Sequence, residues 1–202
     1  MRYLLSAAAV AMLSTAAFAQ TAPEYAKPGT ELKAGEMAVV PHLIPKGPEV
    51  PIELTITSIE KGTDADIAGF TKPPEMADYE PTLVHYSYKN VSDQDLSNQT
   101  IGAFVAIDDR NQEQRAVTTT GGLLECRQGT APNMTPGATG EGCLLYMIHK
   151  DGALKAIAYK GHTKGDNIKV DYPIYFDPIR WVPADAAPAE APAAGGAIVP
   201  TN

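Results

Sequence analysis

The sequence predicts an all-β chain, a sandwich of seven to eight short strands, on three observations. Apolar residues recur with a period of two, turn-formers separate those runs at short intervals, and no stretch carries a helical apolar stripe of useful length. Side chains alternate across a strand, so a period of two puts one face on a core and the other in water.

The runs follow in order. Ile52, Leu54 and Ile56 alternate with Glu53, Thr55 and Thr57. Val84, Tyr86 and Tyr88 alternate with His85, Ser87 and Lys89, and Ile101, Ala103, Val105 and Ile107 share one face. Cys143, Leu145 and Met147 share another, opposite Leu144, Tyr146 and Ile148, which predicts a strand buried on both sides. Leu154 to Tyr159 and Ile168 to Tyr175 add two more strands, and Trp181 closes the last one as a core residue. Lys61-Gly62, Pro73-Pro74, Asn90 to Asn98, Asp108 to Asn111, Pro136-Gly137, Asp151-Gly152 and Gly165-Asp166 supply the turns.

The first nineteen residues read as an export signal. Arg2 supplies a positive start, Leu4 to Leu13 an apolar segment, and Ala17-Phe18-Ala19 a small-x-small cleavage site. Residues 20–36 read as a polar leader broken by Pro23, Pro28, Gly29 and Gly35, and residues 37–182 as one domain. Residues 183–202 hold four prolines and eight alanines. Such a segment buries too little apolar surface to offset its ordering entropy, so it is expected to be a disordered tail.

Export sets the compartment as secreted or periplasmic, with cleavage expected after Ala19. The formal charge of −8 becomes −9 once the signal and its Arg2 are removed. That acidity disfavours nucleic acid as a partner. No later run approaches the roughly 18 apolar residues that span a bilayer, so no membrane insertion is expected. Two cysteines, Cys126 and Cys143, in an oxidising compartment predict one structural disulfide. Closing a loop of that size contributes roughly 3 kcal/mol in the chain-entropy model. A redox pair or a thiolate metal site is the alternative, although a reactive pair more naturally reads C-x-x-C.

The series continues with Leu32 to Glu36 (Leu-Lys-x-Gly-Glu), Ile52 to Gly62 and Val84 to Ser97. Cys126, the Pro136-Gly137 turn, Gly142 to Tyr146 (Gly-Cys-Leu-Leu-Tyr) and Asp177 to Trp181 (Asp-Pro-Ile-Arg-Trp) complete it. Over residues 32–182 this resembles a family of exported bacterial immunoglobulin-like domains, similar in architecture to the mycobacterial immunoprotective extracellular antigen. The resemblance implies an immunoglobulin-like antiparallel β-sandwich with one disulfide and no catalytic residue to carry over.

Other residues have side chains suited to chemistry. Met147 and His149 share a strand face, and with His85 they form a candidate copper set, since thioether and imidazole suit that metal; His42, Met76 and Met134 could join. The order Met147 then His149 departs from a cupredoxin site, and Met147 in the core with His149 at the strand end is the simpler expectation. Asp93, Asp95 and Ser97 match three positions of a calcium loop, but Asn98 and Phe104 stand where glycine and glutamate are required. Asp108 and Asp109 read as a turn rather than as paired catalytic carboxylates. The sequons beginning at Asn90, Asn98 and Asn133 matter only in a glycosylating host.

Tyrosines are numerous and suit contact surfaces, although half-buried tyrosines are ordinary in sandwiches. The functional expectation is a non-catalytic module that recognises a protein or envelope component and needs no cofactor. A small-ligand or copper carrier of the periplasm is the alternative, and a loop-built hydrolase comes third.

Overall fold

A computed structural model describes residues 23–44, 47–67, 72–117, 133–161 and 173–184. These residues form nine strands: β1 (Glu31–Lys33), β2 (Met37–Leu43), β3 (Glu49–Lys61), β4 (Tyr79–Asn90), β5 (Phe104–Asp108), β6 (Glu113–Arg115), β7 (Thr139–His149), β8 (Leu154–Tyr159) and β9 (Ile179–Val182). A short 3-10 turn, Pro74–Met76, and one helical turn, α1 (Pro173–Phe176), are the described helical elements. The strands make two sheets, ordered β1-β9-β8-β5-β6 and β2-β3-β4-β7. Their inner faces share one apolar cluster, so the molecule is a two-layer β-sandwich.

The runs of β3 and β4 become inner faces, whereas in β5 Phe104 and Ala106 are buried and Val105 and Ile107 only half-buried, the opposite face from the one expected for Ile101, Ala103, Val105 and Ile107. Ile52, Leu54 and Ile56 of β3 and Val84, Tyr86 and Tyr88 of β4 are buried, and they meet Phe104, Ala106, Ile157, Tyr159, Ile179 and Trp181 of the facing sheet. Trp181 is fully buried and its indole N–H donates to the Glu36 carbonyl at 2.8 Å, pinning the chain just ahead of β2. Burying one large side chain of this kind stabilises the fold by roughly 1.5–3 kcal/mol. The register of β3 on β4 shifts between Ile56 and Ser58. Thr57 is the extra residue, which lets Ile56 and Ile59 both face inward despite their odd spacing.

β7 departs from alternation in an informative way. Gly142 pairs with Tyr86 and Gly140 with Tyr88 in the β4–β7 register. A Cβ on Gly142 would sit 2.3 Å from the Tyr86 ring, and one on Gly140 would sit 2.3 Å from the Tyr88 hydroxyl. The two phenols therefore lie across backbone that only glycine leaves open.

Several expectations change. Nine strands replace seven to eight, and β1 runs parallel to β9, so the sandwich is not wholly antiparallel. β1 itself falls inside the stretch expected as a polar leader. Its three residues are too few to show a period; pairing to Arg180, Trp181 and Val182 orders it, with Leu32 packed against the core. Of the strand expected over Ile168–Tyr175, residues 168–172 lie outside the described residues and Pro173–Phe176 is helical, Pro173 opening the turn where its missing N–H has no cost. Residues 1–19, Cys126 and the tail from residue 185 also lie outside the described residues.

Candidate functional site

The outward face of the four-stranded sheet divides into two halves. Towards one end, Leu83 of β4 and Cys143, Leu145 and Met147 of β7 face outward. The loop between β3 and β4 lays Ile67 over them, forming a second cluster with Leu83 and Val117. The Val117 N–H also donates to the Leu145 carbonyl at 2.8 Å, so the segment after β6 docks on β7. This explains why Cys143 to Ile148 is buried on both sides: the core covers one face and two connections cover the other.

Towards the other end the same face is bare of cover among the described residues. Glu53 and Thr55 of β3, Ser87 and Lys89 of β4, and Thr139 and Glu141 of β7 line a shallow groove of about 450 Å³. Met37 of β2 forms its rim and is 51 % exposed, a large apolar side chain held in water. Short side chains at Thr55 and Ser87 leave the middle low, while Met37, Glu53, Lys89 and Glu141 stand around it. Lys89 lies 3.6 Å from Glu53, both partly exposed, so Glu141 is left as excess negative charge in the groove. The arrangement offers contact surface and no converging acid, base or nucleophile.

The residues expected to carry chemistry are placed differently. His85, Met147 and His149 share the outward face. However, His85 pairs with Cys143, six residues from His149, which is roughly 20 Å along a strand. The three do not converge on one ion, and Met147 is buried. Among the described residues no group of three or more His, Cys, Asp or Glu could hold a metal. His42 and Met134 are buried at separate places in the fold. No free cysteine occurs among the described residues. With Cys126 outside them, the bond to Cys143 is not described.

The remaining polar groups hold the fold. The buried Asp108 carboxylate accepts from the backbone N–H of Gln112 at 2.7 Å and of Arg110 at 3.0 Å, and from the Arg110 guanidinium at 2.9 Å. Burial pushes that carboxyl up, but these donors outweigh it and hold it below the usual carboxylate value. Asp109 follows in the turn, and no second carboxylate converges with Asp108. Asn90 is fully buried and bonds Gln94 O, Met134 O and both Ser92 donors, which removes its sequon from access. Asp95 caps the Ser97 N–H, and Ser97 Oγ accepts from the Met134 N–H, so the calcium-like loop closes on itself.

Tyr86, Tyr88, Tyr146 and Tyr159 are core residues, contrary to a contact role. Burial, with a smaller push from Tyr88, raises the Tyr86 phenol to about 12; burial and Tyr86 together raise Tyr146 as well. The Tyr146 hydroxyl is fully buried and has no hydrogen-bond partner among the described residues.

The groove escaped sequence reading, although its signal is present. Outward positions of β4 and β7 switch from apolar (Leu83, Leu145, Met147) to polar (Ser87, Lys89, Thr139, Glu141) within the same strands. Among the described residues no helix is long and apolar enough to cross a membrane.

No protein-family model and no curated protein matches the chain. Solved structures that resemble it include MPT63, a secreted protein from Mycobacterium tuberculosis, at 13 % identity and a TM-score of 0.46 over 78 % of this chain and 99 % of that one. The yjhA protein from Bacillus subtilis matches at 15 % identity and 0.43 over 75 % and 98 %. A conserved hypothetical protein from Bacillus anthracis matches at 13 % and 0.34 over 53 % and 79 %. Likeness at this level carries neither fold family nor function across.

Proposed function

We propose that the chain is an exported, immunoglobulin-like, disulfide-bonded β-sandwich that binds a macromolecular partner and catalyses nothing. The observation that carries this reading is the bare half of the four-stranded sheet. A sheet face that turns from covered and apolar to open and polar, with an exposed Met37 on its rim, is built for contact. Its excess negative charge, in a chain of net charge −8, favours a basic protein or envelope component. The export signal and the Cys126–Cys143 bond belong to the same reading, since both serve a protein that works outside the cytoplasm.

Native mass spectrometry on protein recovered from its own host, without reductant or chelator, tests it. The expected species is residues 20–202 less two hydrogens in a stoichiometric complex with a second macromolecule. A chain found only with a bound metal, or one that turns over substrate by itself, would overturn the reading.

A further inference from the structure

Of the six methionines, Met1 and Met12 lie in the segment read as the export signal, and the other four fall among the described residues. Met134 is 0 % exposed and Met147 is 4 % exposed, so both thioethers are buried. Met76 is half-buried in the short 3-10 turn. Met37 stands in water, 51 % exposed.

The backbone around Met37 holds its side chain there. The Glu36 carbonyl accepts the Trp181 indole N–H at 2.8 Å, and the Gly35 N–H donates to the Ile56 carbonyl at 2.7 Å. Met37 itself pairs with Thr55, while its neighbour Ala38 is buried on the inner face, so the thioether points outward. β2 is an edge strand, which leaves Thr55 as the cross-strand neighbour of Met37. From Thr55 the register continues across the sheet through Ser87 to Glu141. Met37 thus heads a row of polar residues, and every other outward side chain lining the groove is polar as well.

We propose that Met37 is a site of reversible oxidation to methionine sulfoxide, and that this modification switches the groove off. Its effect on binding rests on the groove being a contact surface; the modification itself does not. The oxidant is hydrogen peroxide. A sulfur lone pair attacks one peroxide oxygen, the S–O bond forms as the O–O bond breaks, and the departing hydroxide takes the remaining proton and leaves as water. Sulfur loses two electrons and the peroxide gains them. A sulfoxide reductase reverses the step, two thiols giving a disulfide and water.

Placement makes this a switch and not a lesion. At Met134 or Met147 the added oxygen would enter packed apolar surroundings, so reaction there requires local opening. At Met37 the oxygen enters water and the fold is untouched. The rim of the groove changes from an adaptable apolar side chain to a polar, chiral one, and a partner that covered the thioether must now bury a sulfoxide.

The test treats the mature chain with hydrogen peroxide and locates the added oxygen by peptide mass spectrometry. Met37 should react at least about tenfold faster than Met134 or Met147, with Met76 between, because buried thioethers react from opened states. Urea unfolding of the chain oxidised at Met37 should be unchanged. In the complex recovered from its own host, Met37 should react more slowly than in the free chain, since oxidation and binding oppose each other reciprocally. Met37→Gln, a polar side chain of similar length, should co-isolate with roughly tenfold less of the second macromolecule. Met37→Leu, apolar and not oxidisable, should co-isolate like wild type and keep its complex under peroxide. Equal oxidation of Met37 and the buried methionines, or unfolding on oxidation of Met37, would overturn the modification site. A Met37→Gln chain that retains the complex, while the groove-filling Thr55→Arg, Ser87→Arg double variant loses it, would overturn the switch and leave the groove standing. Retention by both variants would overturn the groove reading together with the switch.

Discussion

The two halves of the outward face of the β2-β3-β4-β7 sheet share strands, register and pleat, yet they do opposite things. Beneath Ile67 and Val117, the outward positions are Leu83, Cys143, Leu145 and Met147. A few residues along the same strands they are Ser87, Lys89, Thr139 and Glu141, with nothing described above them. Burial on this face follows the connections that cross it, and the outward side chains match. Where a described loop crosses, β7 becomes a fully buried strand; where none of the described residues crosses, the face stays polar.

The sharpest way to break this comparison is to truncate each half. Leu145→Ala should cost about 2–4 kcal/mol, because it opens a cavity under the covering loop. Ser87→Ala, on the same face of the neighbouring strand, should stay within about 0.5 kcal/mol. Urea unfolding of both variants measures the pair, and similar losses would remove the distinction.

Polar groups sharpen it next. Asp108 is buried and holds its turn through several donors, so Asp108→Ala should cost about 2 kcal/mol. Its folded-state pKa lies below the ordinary aspartate value of 3.8. Its stabilisation is therefore complete above the unfolded value and is lost as pH falls through the lower folded one. Acid unfolding followed by circular dichroism should begin at higher pH in the variant.

The inner face gives a third test, on phenols lying beneath both halves. Tyr86 has a folded-state value of about 12 against 10.0 unfolded, and Tyr146 is raised too. A raised value stabilises fully below pH 10 and is lost as pH climbs through the folded value. Wild-type stability should thus fall above pH 10, and Tyr146→Phe should lessen the fall. At neutral pH that substitution removes an unpartnered buried hydroxyl and should be neutral or slightly stabilising. A marked loss at neutral pH would mean that the hydroxyl has a partner.

The smallest effect belongs to the bare half. Lys89→Ala breaks a partly exposed ion pair with Glu53 and should change stability by less than about 1 kcal/mol, shrinking further in high salt.

Much of the fold was legible because the inner faces of β3 and β4 carry their period openly. β7 was read as buried on both sides for the right reason, the apolar run from Cys143 to Ile148. β1 and β6 were not legible, being three residues each, too short to show a period, and ordered by pairing. The helical turn at Pro173–Phe176 was hidden inside an apolar run that looked extended. Of the candidate site, Met147 and His149 were assigned to one face, and the register puts His85 on it too, but spacing along the strand, invisible until the register is known, keeps His85 apart from His149. The groove needed the register as well, because it gathers single residues from β2, β3, β4 and β7.

The central claim is that the bare half is a binding surface. Its most direct test is the dissociation constant for the co-isolated partner, measured for the mature wild-type chain and for the Thr55→Arg, Ser87→Arg double variant that fills the groove. The expected result is binding at least about tenfold weaker at unchanged unfolding free energy, a difference of about 1.4 kcal/mol. Equal affinity of the two proteins would contradict the claim and move the search for the partner's surface elsewhere on the sandwich.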